Sequence, residues 1–282
     1  MTTIRISYQG VPGAYSDIAA KRFFENKIET YPCHTFEELF DQVKSQNCHY
    51  GMVPIENSIA GSIHQNYDLL AKYNSLIVGE IYLKISHNLL VVPMKKIDKT
   101  KRIKMINEAY SHPQALWQCQ GFFKRHPWIK TVPAEDTAGS AENLSKWRKK
   151  HIAAIASKEA AKIYSLEVLK IGIETNKNNF TRFMVIGKKQ KVVKANKVSL
   201  IFSVIHKPGS LYQSLKPFSQ RKINLTKIES RPILGKPWEY LFYLDFEINS
   251  LKECLMAIKE LKENCLYFKI LGFYKRGKVI YS

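Results

Sequence analysis

The sequence predicts an α/β protein built in two parts, and three features of the 282-residue chain support this prediction. Short apolar segments alternate with helix-like segments through the first part, a pattern typical of α/β domains. A polar, basic stretch, KKQKVVKANK, follows this region. Beyond it the order becomes strand, helix, strand, strand, helix and strand. At 45% hydrophobic residues, the chain is able to bury a sizeable core.

The first part opens with a predicted strand over residues 4–8 and a tight turn from Gly10 to Gly13. Ser16 or Asp17 is then positioned to cap a helix that continues to Phe24. Further apolar strands are predicted over residues 51–53, 89–92, 153–155 and 183–186, and helices over residues 36–44 and 114–123. Because strands that alternate with helices usually pair in parallel, we expect a mostly parallel sheet with ligands at the carboxyl ends of its strands.

The second part has a different order of elements. Strands are predicted over residues 198–205, 225–229, 240–248 and 267–274, and helices over residues 209–220 and 251–263. This βαββαβ order is the ferredoxin-like plan. We therefore place a boundary near residue 192, which divides the chain into domains of residues 1–191 and 192–282.

Composition excludes several classes of protein. The five cysteines contain no C-x-x-C pair and the eight histidines no H-E-x-x-H spacing, so we expect no disulfide framework and no metal. The start, MTTIRISYQG, alternates like a strand, and no apolar run approaches the roughly 18 residues of a membrane span. We therefore expect a cytoplasmic protein with no membrane partner.

The formal charge of +20 raises the question of nucleic-acid binding. The longest basic clusters, Arg148–Lys150 and Lys188–Lys191, are not interleaved with aromatic residues as in single-strand binders. We interpret the lysines as solvated surface and expect no nucleic-acid partner. The charge does supply a field that attracts small anions.

Polar residues cluster at three predicted helix starts and at the start of one strand. The clusters contain Glu56, Asn57 and Ser58; Ser111, His112, Gln114 and Gln118; Asp136 and Thr137; and Asn179, Thr181 and Arg182. Together they predict a site for a small, anionic, oxygen-rich ligand. Two structural alternatives stay open, since Ser58 suits a helix N-cap and His112 precedes a proline, as a cap or hinge residue does.

Several motifs together resemble those of the prephenate dehydratase family. In the first part these are VPIENS, YSHPQALWQC, DTA, AAIAS and NFTRF, in the order found in that family. In the second part, PGSL and KIESRP resemble motifs of the regulatory ACT domain that is appended to the enzyme. The resemblance extends from residue 4 to residue 274, so it covers nearly the whole chain.

The resemblance implies a lyase without a cofactor that converts prephenate to phenylpyruvate, carbon dioxide and water in phenylalanine biosynthesis. It implies two α/β lobes around a cleft, as in periplasmic solute-binding proteins, followed by a ferredoxin-like ACT domain. It also implies a homodimer or homotetramer with phenylalanine as allosteric ligand. Carried over onto this sequence, the substrate-positioning residues are Glu56, Asn57, Ser58, Ser111, His112, Gln114, Gln118, Asn179, Arg182 and Phe183.

By similarity to the family, the hydroxyl of Thr181 protonates the departing ring hydroxyl. Aromatisation drives the reaction, so a positioned donor is sufficient. We expect Arg182 to bind the side-chain carboxylate of prephenate or to orient the wall of the cleft. A contact with the ring carboxylate would stabilise the ground state more than the transition state, because that charge disperses as carbon dioxide leaves.

In the second part, the resemblance implies an effector site near the turn at Gly209. Its residues are Pro208, Gly209, Ser210, Leu211, Glu229, Ser230 and Arg231. Gly209 permits close approach at a helix N-terminus, which suits an amino-acid carboxylate. The family usually has Gly-Ala-Leu at this turn, so Ser210 is a departure that leaves the identity of the effector open.

Two alternatives remain. Arogenate dehydratase shares these motifs, and its substrate carries an amine in place of the side-chain ketone. A non-catalytic amino-acid sensor is the alternative from another class, since a two-lobed fold with an ACT domain is able to detect metabolites. The intact TRF sequence favours an enzyme over a sensor.

Overall fold

The computed structural model describes residues 3–25, 28–73, 75–94, 97–188, 194–233 and 235–281. The boundary predicted near residue 192 lies outside the described residues. Up to residue 94 the elements are β1 (Ile4–Gln9), α1 (Tyr15–Phe24), β2 (Ile28–Cys33), α2 (Phe36–Lys44), β3 (Tyr50–Asn57), β4 (Gly61–Ser62), α3 (His64–Lys72), β5 (Leu76–Lys84) and β6 (Asn88–Val91). Between residues 97 and 188 they are α4 (Lys99–Lys104), β7 (Glu108–Ser111), α5 (Pro113–Gln118), α6 (Gln120–Lys124), β8 (Lys130–Pro133), α7 (Thr137–Trp147), β9 (Ile152–Ala156), α8 (Lys158–Ile163), β10 (Glu167–Lys170) and β11 (Phe180–Gly187). After residue 194 they are β12 (Lys197–Ser203), α9 (Ser210–Gln220), β13 (Leu225–Ile233), β14 (Lys236–Glu247), α10 (Leu251–Glu263), β15 (Tyr267–Tyr274) and β16 (Val279–Ile280).

The region before residue 189, together with the last strand β16, forms two lobes, each built on one sheet. The larger lobe has the strand order β16-β5-β11-β3-β1-β2, with β4 paired to β3, and the smaller has β10-β6-β9-β7-β8. The chain passes between the lobes twice, after β5 and before β11. The two passages lie side by side, because the amide of Ile85 donates to the carbonyl of Asn179 at 2.8 Å. This pair forms a hinge at the base of the cleft between the lobes.

Strand β11 runs antiparallel to both of its neighbours, β3 and β5. The reason is its entry point: β3 and β5 end at the hinge, whereas β11 begins there on its return from the smaller lobe. Strand β6 likewise pairs antiparallel with β9 and β10. The prediction of a mostly parallel sheet is therefore wrong for these strands, although β1 pairs in parallel with β2 and β3.

Two predicted helix features also differ. The helix predicted over residues 114–123 is divided into α5 and α6 at Cys119, and the amide of Gly121 donates to the Thr175 hydroxyl at 2.9 Å. Neither Ser16 nor Asp17 caps α1, whose N-cap is Ala14. The Asp17 carboxylate instead accepts from the amide of Gly13 at 2.9 Å. By contrast, α2 has its predicted bounds, because the Thr35 side chain caps it by accepting from the amide of Glu38.

The third sheet has the order β13-β14-β12-β15 with antiparallel pairs, so the predicted βαββαβ order is confirmed. On one face of this sheet, a core that includes Phe202, Phe218 and Leu261 packs the helices α9 and α10 against the strands. The other face joins Tyr243 and Leu271 to the core of the larger lobe. We call this contact the domain junction.

The end of the chain returns to the larger lobe, which the sequence did not indicate. Strand β16 pairs in parallel with β5, and the ring of Tyr281 lies edge-on to Phe180 at 6.1 Å. Through the described parts of the chain, no helix is both long and apolar enough to cross a bilayer.

Candidate active site

A cleft of about 190 Å³ opens between the two lobes beside the hinge. Its walls come from both lobes and include Tyr15, Asn57, His87, His112, Gln114, Gln118, Asp136, Thr137, Thr181 and Phe183. A second compartment of about 390 Å³ adjoins it and shares Gln9, Gly10 and Asp136. The cleft lies at strand ends and helix starts, where the sequence predicts the site, and its role as the site stays a prediction.

Thr181 lies on β11 at the floor of the cleft and is 9% exposed. Its Oγ1 accepts a hydrogen bond from Asn57 Nδ2 at 3.0 Å. The Asn57 amide is held in this orientation because its Oδ1 accepts from the backbone amides of Ile59 and Ala60, each at 3.0 Å. Within the described ranges the Thr181 hydroxyl donates to no protein acceptor, so its proton is available to a bound molecule.

Amide side chains extend this network across the cleft floor. Asn57 Nδ2 also donates to Asn179 Oδ1 at 2.7 Å, and Asn179 Nδ2 donates to Gln118 Oε1 at 2.8 Å. Gln118 Nε2 in turn donates to Asn57 Oδ1 at 3.3 Å, which closes the set of hydrogen bonds. Asn179 is fully buried and supports the residues that line the cleft. The closed set of amide hydrogen bonds fixes Thr181 without any ionic group.

His87 joins the network from the hinge. Its Nε2 lies 2.8 Å from Gln118 Oε1, and its Nδ1 lies 3.3 Å from the Tyr15 hydroxyl. Because Gln118 Oε1 is an acceptor, we assign the proton to His87 Nε2. Burial lowers the pKa of His87, so the imidazole is neutral near pH 7.

No lysine or arginine lines either compartment among the residues that the structure describes. The polar groups that face the cleft are amides, hydroxyls, imidazoles, the Asp136 carboxylate and the start of α1, which has no side-chain cap, and Glu135 and Glu142 also line the second compartment. The carboxylate of Asp136 caps α7 by accepting from the amide of Gly139 at 2.6 Å, and burial raises its pKa. An anion in this cleft is therefore bound by neutral donors and helix dipoles.

Three of the predicted substrate residues have structural hydrogen bonds. His112 lines the cleft but also caps α5, with Nδ1 accepting from the amide of Gln114 at 3.2 Å. Ser111 is fully buried and donates to the carbonyl of Ile155. Ser58 is exposed, does not line the cleft and does not cap a helix. Its hydroxyl instead accepts from the amide of Phe180 on β11 and donates to the carbonyl of Asn178, each at 2.9 Å.

Arg182 and Glu56 do not lie in the cleft, which corrects the prediction that they bind substrate. Successive side chains on a strand point to opposite faces, so Thr181 faces the cleft and Arg182 faces the domain junction. There the Arg182 guanidinium contacts Glu80 at 2.6 Å and Asp245 at 2.6 Å. Glu56, beside Asn57, similarly contacts Lys227 at 2.6 Å. The guanidinium is thus directed away from the cleft in this structure, which does not support the first alternative, a bond from Arg182 to a substrate carboxylate. The second alternative, that Arg182 orients the wall of the cleft, stays a prediction.

The predicted effector residues divide between two faces of the third sheet. Gly209 adopts φ +81° at the start of α9, and Pro208, Ser210 and Leu211 adjoin it. Glu229 faces the junction, where it accepts from the Ser62 hydroxyl at 2.6 Å, and Arg231 contacts Asp68 at 2.8 Å. Because successive side chains of a strand point to opposite faces, Ser230 lies on the other face of the third sheet, which carries α9 and Gly209. Glu229 and Arg231 thus do not share a site with Gly209.

Sequence reasoning missed Tyr15 and His87 as cleft residues. Tyr15 follows the predicted turn, and His87 follows the strand that ends at Lys84, but neither belongs to a cluster of polar residues. A lone histidine after a strand carries no signal that separates a ligand-facing ring from a core one. Among described residues there is also no group of three or more His, Cys, Asp or Glu that is arranged to hold a metal ion.

Comparison with known proteins adds to this geometry. The prephenate dehydratase family matches residues 6–191, which is more than half of the chain. The chain belongs to the prephenate dehydratase family. Prephenate dehydratases are decarboxylating hydro-lyases, and this is the enzyme class expected from the motifs.

Curated relatives of this family cover nearly all of the chain. Arogenate dehydratase/prephenate dehydratase 2 from Arabidopsis thaliana is 38% identical over 96% of this chain and 72% of its own length. The bifunctional chorismate mutase/prephenate dehydratase of Escherichia coli K12 is 37% identical over 98% and 72%. A crystal structure of prephenate dehydratase from Arthrobacter aurescens in complex with L-Phe is similar, with a TM-score of 0.86, 25% identity and coverage of 97% and 90%.

The lowered pKa of His87 predicts a pH-dependent stability for this family member. An unfolded histidine has a pKa of about 6.5, so as the pH falls the unfolded chain binds a proton before the folded chain does. The stability that neutral His87 contributes is complete above about pH 6.5 and declines below it. We expect the Tm of the wild type to fall more steeply between about pH 6.5 and 5 than that of His87→Gln, whose amide still donates to Gln118.

Thermal unfolding followed by circular dichroism at several pH values measures this difference. His112, whose pKa burial also lowers, is present in both proteins, so its contribution cancels. Parallel Tm curves for the two proteins would show that His87 is not held neutral.

Proposed function

We propose that this chain converts prephenate to phenylpyruvate, carbon dioxide and water, with the Thr181 hydroxyl as proton donor to the departing ring hydroxyl. The observation that carries the proposal is the orientation of Thr181. Asn57 donates to its Oγ1, which leaves the hydroxyl proton free to point into the cleft. Family membership supplies the reaction, and this geometry supports the role of the residue.

The chemistry requires little more than a positioned donor. As the bond between the ring and its carboxylate breaks, the electron pair moves into the ring, and the bond to the ring hydroxyl breaks at the opposite carbon. The departing oxygen takes one proton and leaves as water, and the ring becomes aromatic. A threonine hydroxyl is a weak acid, so the proton moves late, when negative charge has developed on the leaving oxygen. Water then restores the proton to Thr181.

The described residues that line the cleft include no lysine or arginine, which suits this reaction. A guanidinium or ammonium bound to the ring carboxylate would stabilise its full charge in the ground state and lose that stabilisation as carbon dioxide forms. Neutral donors bind the dianion with less of this penalty. The uncapped start of α1 and the side chains of Gln114 and His112 are the groups available to the side-chain carboxylate, which keeps its charge throughout.

Arogenate is the second candidate substrate, and one observation favours it. Of the described residues that line the cleft beside Thr181, Asp136 is the one with an acidic side chain. Its carboxylate is suited to an ammonium group, which arogenate carries and prephenate does not. Rates measured with both substrates in competition decide between them.

We further propose that residues 1–191 form the catalytic domain and residues 192–282 an ACT domain that binds L-phenylalanine. The βαββαβ order and the turn at Gly209 support this assignment, and the Arthrobacter aurescens relative was solved with L-Phe bound. Pro208, Gly209, Ser210, Leu211 and Ser230 remain the proposed contacts. A homodimer or homotetramer accounts for the apolar side chains exposed on this domain, such as Tyr212 at 66% and Ile228 at 45%.

Two substitutions of Thr181 test the proposed donor. Thr181→Ser keeps a hydroxyl, so we expect it to retain much of the turnover of prephenate. Thr181→Val has the same shape without the hydroxyl, and we expect kcat to fall by about 10² to 10⁴ with little change in KM. The absorbance of phenylpyruvate measures both constants. Equal activity in the two variants would remove the proton-donor role.

Calorimetry of the full chain with L-phenylalanine tests the proposed effector site. We expect saturable binding, together with a change in kcat or KM for prephenate at saturating phenylalanine. Ser210→Ala restores the usual Gly-Ala-Leu of the family and should alter the affinity while the turnover without effector stays the same. The absence of binding in both proteins would contradict the regulatory assignment.

A further inference from the structure

Four charged side chains are buried together at the domain junction. Arg182 and Glu80 come from the larger lobe, and Lys197 and Asp245 come from the third sheet. Their side chains are 2%, 0%, 2% and 6% exposed, respectively. Two cations therefore meet two carboxylates out of contact with water, and each domain contributes one charge of each sign.

Arg182 holds this cluster together. Its Nε and Nη2 both contact Glu80 Oε2, at 2.7 Å and 2.6 Å, and its Nη1 contacts Asp245 Oδ2 at 2.6 Å. Nη2 also donates to the Tyr274 hydroxyl at 3.1 Å. Lys197 Nζ adds the second buried cation by donating to both oxygens of Glu80 at 3.0 Å, and the partly exposed carboxylate of Glu56 lies 3.6 Å from Arg182 Nη1 at the edge of the cluster. The planar guanidinium is thereby fixed from two domains at once.

Arg182, the member of the cluster on β11, directly follows Thr181 in the sequence. Opposite Thr181 on β3 is Asn57, and opposite Arg182 is Glu56, with a register irregularity directly after this pair. Any movement of Arg182 along or about the strand therefore moves Thr181 relative to Asn57. A buried charge that loses its partner is strongly destabilised, so the cluster resists such movement.

We propose that Arg182 is a positioning residue for the reaction, through which Asp245 and Lys197 of the third sheet hold the hydroxyl of Thr181 in its catalytic orientation. This inference rests on the proposed function of Thr181. It makes part of the C-terminal domain a determinant of kcat, although none of the residues described in that domain lines the cleft beside Thr181.

A second ion pair across the same junction provides a matched control. Arg231 contacts Asp68 at 2.8 Å, but Asp68 lies on α3, and no residue of α3 lines the cleft. Loss of this pair weakens the docking of the domains without touching β11. Asp68→Asn therefore reports the effect of docking alone.

The test compares Asp245→Asn with Asp68→Asn in the full-length protein. We expect Asp245→Asn to lower kcat for prephenate by about 2- to 30-fold with KM nearly unchanged. Asp68→Asn should lower Tm but leave kcat unchanged. Because Asp245 is proposed to act through Thr181, Asp245→Asn should have no further effect on the residual rate of Thr181→Val.

Several results would overturn the inference. One is an unchanged kcat in Asp245→Asn. Another is an equal loss of kcat when Asp245→Asn is introduced into the wild type and into Thr181→Val, because an equal loss indicates a general disturbance of the structure. If Asp245→Asn does not fold, Lys197→Gln/Asp245→Asn keeps the cluster neutral and the same expectations apply. A wild type that does not convert prephenate refutes the proposed function and this inference together, whereas an active wild type with an unaffected variant refutes this inference alone.

Discussion

The alternation of side chains along β11 is the constraint on which the site depends. Thr181 faces the cleft and Arg182 faces the domain junction, so one strand serves two environments at adjacent positions. A slip of one residue would put the guanidinium into the cleft and the hydroxyl among buried carboxylates. Breaking a buried ion pair in this way costs about 3–5 kcal/mol, so the charge cluster helps to fix the register in which the proton donor reaches substrate.

The cleft itself uses a different kind of chemistry from the junction behind it. Its floor is a closed set of amide hydrogen bonds around Asn57, Gln118 and Asn179, and the adjoining imidazole of His87 is neutral. The net charge of +20 attracts an anionic substrate over long range without placing a cation against it. Charge on the substrate is thus free to disperse during the reaction, as decarboxylation requires.

Much of this arrangement was predictable from the sequence, and the failures have physical reasons. The helix α2 and the βαββαβ order follow from local periodicity and caps, and the resemblance to the prephenate dehydratase motifs assigned Thr181, Asn57 and Gln118 to the cleft. Arg182 and Glu56 were assigned to the cleft because sequence adjacency does not reveal which face of a strand another domain covers. Tyr15 and His87 were missed because tertiary packing alone brings these isolated residues to the cleft.

The most direct test is a crystal structure of this chain with a substrate analogue that retains the ring hydroxyl. We predict that Thr181 Oγ1 lies within hydrogen-bonding distance of the ring oxygen, at about 2.5–3.0 Å, while Arg182 stays bound to Glu80 and Asp245. A closed cleft in which the guanidinium contacts a carboxylate of the ligand, or in which Thr181 lies beyond reach of the ring oxygen, would contradict it.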